Sequence, residues 1–337
     1  LLRNIFQINL FGGAEFCYVV NNNTSLASQR CALGRFFFRG IVKFEKEALS
    51  TEQLVATLVE RQMNVGDHTW ATSILDSINY YRLATYWYEY RITNASDEHT
   101  FRPGTSLAHV HRIYQFDSDL RGLLFRAIES FEVSFRKNFA SHLALTYEPF
   151  VHLNPTFVKD RGRWANSISR IHSEYHASSE EFARHNKEKY GEYHLPAIWV
   201  TVELTTLGGL RHLYQNWANR ADRQIIAQKY GLEEAVFDSL IEHLETIRNV
   251  CAHHSRLWNK HIAKKPKLPK KLMGTSTGAF NFDSKSLPKI YNTILLLDYV
   301  DYFISGKQTL MESVVQLLNL YPEVDRSQMG FPSQTPH

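Results

Sequence analysis

The sequence predicts an all-α protein, and three observations carry that prediction. Past residue 50, apolar side chains recur at steps of three and four, the spacing that lines one face of a helix. Helix-start signals precede these runs: Ser50-Thr51-Glu52-Gln53, Asp67, Thr105-Ser106 and Pro196. After residue 45 no run alternates apolar and polar residues around a tight turn, so no hairpin is expected.

Taken in order, the capping box at Ser50 leads into Leu54, Leu58 and Val59 on one face, and Asp67 caps a helix carrying Trp70, Ile74 and Leu75. Residues 78–90 hold six aromatics: Tyr80, Tyr81, Tyr86, Trp87, Tyr88 and Tyr90. Aromatic side chains bury large areas, so the core and rim of a helical pair is expected here. A stacking platform for bases is the alternative. Residues 91–104 read as a loop ending at Pro103-Gly104. From Thr105 or Ser106 a long helical region runs to about Leu145, striped by Val110, Ile113, Phe116, Leu120, Leu124, Ile128 and Phe131. Asp117 and Arg121, and Glu132 and Arg136, stand at i, i+4 and are expected to pair along that helix. The functional alternative points Arg121 or Glu132 into a cleft.

Residues 150–165 look irregular. His172 and His176 have a spacing that metal sites use, but no third ligand stands nearby, and no metal is expected. Residues 178–190 read as a polar helix. Pro196 opens a helix through Ile198, Trp199, Val202 and Leu207, interrupted at Gly208-Gly209. Those glycines lack the strand and spacing of a phosphate loop, so a close crossing or a kink is expected. Further helices are expected over about 220–229, 233–249, 287–304 and 307–320, with a loop at 272–286 and a frayed tail after Tyr321.

At 337 residues and 44% hydrophobic, the chain can bury a sizeable core. Residues 1–43 show no sustained period and contain no methionine, and are expected to be an atypical extension, from a misplaced start or a fragment boundary. A helical domain is expected over 44–271, with C-terminal helices of 272–337 packing on it. Cys17, Cys31 and Cys251 show no paired spacing, which argues against a disulfide framework or zinc site and suits a reducing cytoplasm. No apolar run reaches membrane-spanning length, and no membrane partner is expected.

Charge is concentrated. From Arg248 to Lys271 there are eight Lys/Arg and no Asp/Glu, while the whole chain is formally +4, leaving −4 for the rest. A local basic cluster points to a phosphate-bearing partner. Within it, Arg248-Asn249-Val250-Cys251-Ala252-His253-His254-Ser255-Arg256 places arginines beside histidines. Histidine exchanges protons near neutral pH, and arginine presents a donor fork that matches phosphate oxygens. Together they supply what RNA cleavage needs without a cofactor or metal. One group takes the 2′-hydroxyl proton, another protonates the leaving 5′-oxygen, and a fixed cation holds the developing charge. The plain alternative is an arginine that bridges helices and a half-buried core histidine.

Arg248-Asn249-x3-His253 resembles the Arg-x4–6-His signature of HEPN ribonucleases, in the form with Asn after Arg. More narrowly, the segment to Asn259 resembles the Abi family of abortive-infection proteins, AbiD/AbiF type. Four blocks in order strengthen that likeness: Ser77 to Leu83, Tyr114 to Arg121, Ile128 to Arg136, and Pro196-Ala197-Ile198-Trp199. The similarity covers roughly residues 45–265. It implies a HEPN-like helical bundle with additional helices, and a ribonuclease acting in defence against phage. In that reading Arg248 binds the scissile phosphate, His253 is general acid or base, and Asn249 orients the site. His254 fits the looser spacing as the second candidate. Arg256, Lys260, Lys264, Lys265, Lys267, Lys270 and Lys271 would hold flanking RNA.

On a continuous helix, residues five apart diverge by roughly 140°. Arg248 and His253 therefore require either a helix break near Asn249 or a homodimer that brings two copies of the motif together, as in HEPN proteins. A non-catalytic protein that holds a small regulatory RNA would use the same basic segment. An antitoxin partner and a structural dimer module are the remaining readings.

Overall fold

A computed structural model describes residues 47–93, 99–191, 194–269 and 288–332. The chain divides into two units, Leu1–Ala48 and Leu49–His337, and every element named below lies in the second. The first helix, α1 (Thr51–Glu60), starts at the expected capping box, with Ser50 and Gln53 bonded reciprocally. Asp67 caps α2 (His68–Ser77) by accepting from the Trp70 N–H, and Asn79 caps α3 (Tyr80–Trp87). Two three-residue strands follow, β1 (Arg91–Thr93) and β2 (His99–Phe101), paired antiparallel with Arg91 opposite Phe101. This hairpin departs from the loop expected over 91–104. Strands of three residues are too short to show an alternation in the sequence.

Ser106 caps α4 (Leu107–Thr146), an unbroken helix of 40 residues, which at 1.5 Å per residue is about 60 Å long. The expected stripe is buried along it and extends through Phe135, Phe139 and Leu143. The remaining helices are α5 (Arg161–Ala177), α6 (Glu181–Tyr190), α7 (Ile198–Leu204), α8 (Leu207–Asn216), α9 (Arg220–Gln228), α10 (Glu234–Ala252), α11 (Tyr291–Ser305) and α12 (Leu310–Leu320). The fold is all-α, 69% helical.

Helix α4 is the axis of this body: α3, α7, α9, α10, α11 and α12 all pack against it. Phe135 meets Phe237 of α10 edge to face at 5.2 Å and Tyr214 of α8 at 5.6 Å. Leu240, Ile241, Leu244, Ile247 and Cys251 form the buried face of α10 and fix its rotation. That rotation decides where Arg248 emerges.

Other expectations resolve differently. The break expected at Gly208-Gly209 falls earlier, at Thr205-Thr206, where Thr206 caps α8. The glycines serve the close crossing, since a Cβ on Gly208 would meet Glu245 of α10 at 2.5 Å. The tail after Tyr321 is packed rather than frayed: Val324, Met329 and Phe331 are buried around a short 3-10 turn at Arg326–Met329. The aromatic cluster divides, with Tyr86 and Trp87 buried, Tyr80 and Tyr90 half-buried, and Tyr81 and Tyr88 exposed. No described helix is long and apolar enough to cross a membrane. The expectations for residues 1–43 and for the loop 272–286 lie outside the described residues.

Candidate functional site

Helix α10 continues through Arg248 and Asn249 to Ala252, so the break expected near Asn249 lies three residues later. There His254 takes the left-handed conformation, with φ 53°. Its N–H donates to the Cys251 carbonyl at 3.0 Å, and the Ser255 N–H donates to the Val250 carbonyl at 2.9 Å. This is the Schellman ending, whose left-handed position glycine usually fills because a Cβ is strained there. Here a histidine fills it. The turn reverses the chain and aims the residues after it back at α3 and α4.

A buried carboxylate holds that returning loop. Asp117 of α4 accepts from the Leu257 N–H at 3.1 Å, the Trp258 N–H at 2.5 Å and the Tyr86 hydroxyl at 2.6 Å, and pairs with Arg121. Burial pushes the Asp117 carboxyl above the usual range, against the opposite pull of Arg121 and these donors. Burial also works against the Arg121 charge, but Asp117 and Tyr86 beside it hold the guanidinium above its ordinary value. Burial raises the Tyr86 phenol too, followed by the Asp117 charge, so it stays a donor. Three further ties complete the frame. Arg82 donates to the His254 carbonyl, Arg256 donates to the Thr85 carbonyl at 2.6 Å, and Asn259 bridges Glu89 and Lys289. Arg256, expected to hold RNA, thus has part of its donor set engaged inside the fold.

Against this frame, Arg248 stands out. Among the described residues it has no ion pair or hydrogen bond; its guanidinium lies 5.7 Å from the Phe125 ring centre. It borders a shallow groove with Phe125, Glu129, Glu132, Val133 and Arg136. An adjoining groove of about 500 Å³ is bordered by Ser118, Arg121, Phe125, Glu129, Cys251 and His254. Phe125 and Glu129 belong to both, so Arg248 and His254 border one surface along α4. His253 and Asn249 are exposed and line neither groove. Arg248 and His254 therefore border adjoining grooves, and His253 borders neither. Arg121 does face the cleft, while remaining paired to Asp117; Glu132 likewise borders it, paired to Arg136. Burial pushes the Cys251 thiol up to about 12, which keeps it neutral and unreactive.

The basic segment does not extend the groove. From Lys260 the chain runs back along α10. The buried His243 donates from Nδ1 to the Lys264 carbonyl at 2.5 Å, Lys264 pairs with Glu242 at 3.0 Å, and the Lys267 N–H donates to Ser239 at 2.7 Å. Ile262 and Pro266 face inward while Lys264, Lys265 and Lys267 face solvent. Ser239 lies fourteen residues before His253, on the order of 20 Å along the helix. Burial lowers His243 to about 4, so it is a neutral structural histidine. Lys270 and Lys271 lie outside the described residues. Among the described residues no group of three or more His, Cys, Asp or Glu is placed to hold a metal.

Sequence reasoning did not single out Arg82 and Tyr86 as holders of the motif loop, nor give Asp117 that role. Arg82 and Asp117 stand in two of the blocks quoted above, and that co-occurrence was the available signal.

Compared with known families, residues 73–259 match the family described as Abi-like protein. That is more than half of the chain. No curated protein and no solved structure matches it.

Proposed function

The chain belongs to the Abi-like protein family, and from that premise we propose an abortive-infection effector that cleaves RNA across the adjoining grooves bordered by Arg248 and by His254. Family membership supports the role in abortive infection. The cleavage chemistry rests on the groove.

In this mechanism the Arg248 fork binds the non-bridging oxygens of the scissile phosphate and holds the charge that builds there. A neutral imidazole takes the proton from the 2′-hydroxyl as O2′ bonds to phosphorus. The P–O5′ bond breaks, and a protonated imidazole donates its proton to the departing O5′. The products are a 2′,3′-cyclic phosphate and a 5′-hydroxyl. These side chains supply both proton transfers and the charge stabilisation without a metal. His254, on the Arg248 surface, takes one of the two proton-transfer roles. His253, exposed and lining neither groove, serves the groove of a second copy, and Asn249 orients it by hydrogen bonds. A homodimer across the α4–α10 surface joins the two sets, with Phe125 and Val133, 37% and 57% exposed, at its centre. The solvent-facing lysines hold flanking RNA backbone. A protein that holds a regulatory RNA without cutting it is the second reading, favoured by the distance between the lysines and the motif.

The observation that carries the proposal is Arg248. It is half-buried and without a carboxylate partner among the described residues, while Arg121, Arg136, Arg211 and Arg223 each have one. The test is cleavage of total bacterial RNA in EDTA, with both new ends mapped. His254→Ala and Arg248→Lys are expected to lose about 10²–10⁴-fold in rate with RNA binding retained. His253→Ala is expected to lose activity that mixing with Arg248→Lys restores in a heterodimer. Full activity in His254→Ala removes that residue from the mechanism. Absence of cleavage with stoichiometric RNA protection selects the second reading.

A further inference from the structure

Tyr81 and Tyr88 are 73% and 67% exposed, more than any other Phe, Tyr or Trp side chain among the described residues. They stand at i and i+7, with Thr85 between them at i+4, so all three share one face of α3 and the 3-10 turn that continues it. That face abuts the motif loop. Arg82 reaches the His254 carbonyl from the same helix, and Arg256 of the loop reaches back to the Thr85 carbonyl. Neither phenol has a hydrogen-bond partner among the described residues. Tyr81 touches Tyr80 edge-on at 5.6 Å, and Tyr88 carries the Arg91 guanidinium 5.3 Å from its ring centre. Arg91 flanks the face and has no ion pair among the described residues.

We propose that Tyr81 and Tyr88 form a stacking ledge for unpaired bases, making single-stranded RNA the substrate class of the adjoining motif. The inference rests on the RNA reading above and names what that site selects. Every base presents a π face, so a ledge of this kind accepts any sequence but requires the base to be free. In a duplex those faces are already covered by neighbouring bases. The two rings lie on the order of 10 Å apart along the helix, which separates two bases on one strand. Arg91, against the Tyr88 ring, meets the backbone between those bases.

The experiment measures binding to a 2′-O-methyl RNA 12-mer, which cannot be cleaved through its 2′ position. The same strand annealed to its complement, and the same backbone with consecutive abasic positions, complete the set. Wild-type protein is expected to prefer the single strand over the duplex and over the abasic strand. Tyr81→Ala and Tyr88→Ala should each weaken single-strand binding about 5- to 150-fold, with duplex affinity unchanged. Tyr81→Phe and Tyr88→Phe keep the ring face and should bind like wild type. Thermal melts of all variants should coincide, since both side chains are exposed. Wild-type affinity in both alanine variants overturns the ledge and leaves the RNA reading standing. Equal loss on single strand and duplex overturns it as well. Alanine variants that lose a dimer but keep their RNA affinity show that a second copy covers these rings. A wild-type protein that binds none of the probes overturns the ledge and the RNA reading together.

Discussion

The loop 253–259 and the strap 260–269 follow one another directly in the chain and both carry cations. The fold uses those cations in opposite ways. In the loop, the backbone is the object being held: Asp117, Arg82 and Arg121 bind its N–H and carbonyl groups, and Arg256 is turned inward. In the strap, apolar Ile262 and Pro266 and the bonds to His243 and Ser239 hold the chain, and Lys264, Lys265 and Lys267 face solvent, Lys264 beside Glu242. A count of eight basic residues between Arg248 and Lys271 treats these as one patch. The contrast teaches that the number of charges does not say which are available to a ligand. What matters is whether a partner within the fold has already claimed them.

The strongest way to break this contrast is Asp117→Ala. It leaves Arg121 unpaired in the interior and strips two backbone N–H groups of their acceptor, an expected loss of about 3–5 kcal/mol. Urea unfolding checks the value. Protease cutting confined to 253–259 in a folded protein would show that only the loop depends on Asp117.

The strap is more sensitive to acid. His243 has its pKa lowered by burial to about 4, below its unfolded value near 6.5. Its full stability is present above 6.5 and is lost as pH falls toward 4, because the unfolded chain binds the proton first. At about 1.4 kcal/mol per unit, that is about 3 kcal/mol in total. His152, lowered by burial to about 4 as well, shares the window. Unfolding curves between pH 7 and 4 should therefore be shallower for His243→Gln than for wild type. Equal slopes would refute the assignment.

A smaller effect is expected from replacing Lys264, Lys265 and Lys267 with Gln. The log–log salt slope of RNA binding should fall by up to about 2, at roughly 0.7 per phosphate contact. The cleavage rate of bound RNA should be unchanged. The smallest effect sharpens the comparison at the loop's first turn. His254→Gly relieves the left-handed strain and should raise stability by about 1 kcal/mol while abolishing cleavage. A melting temperature that rises as activity vanishes would show that stability was given up for a side chain.

Much of the fold was legible in local pattern. The caps at Ser50, Asp67 and Ser106 and the stripe of α4 are written within a few residues, and each was found where the pattern put it. The hairpin at 91–101 was not, since its strands are shorter than any period that could reveal them. The candidate site divides in the same way. Arg248, His253 and His254 were visible as a cluster, but which histidine shares a surface with Arg248 depends on a left-handed turn with no glycine to announce it. The role of Asp117 was hidden for a different reason. Its i, i+4 pairing with Arg121 could be read, but its bond to Leu257 spans 140 positions, beyond the reach of any local rule.

That separation has a consequence in time. Asp117 leaves the ribosome 140 residues before the first backbone N–H it will hold. At about 5–20 residues per second, the interval is roughly 7–28 s. Through that interval the carboxylate has Tyr86 and Arg121 for company, and the loop it will hold has not been made. A nascent chain therefore carries every residue of the Arg–His motif before it carries the motif's geometry. Synthesis interrupted before Leu257 leaves the loop without its anchor on Asp117, so the order of translation sets when the motif takes its shape.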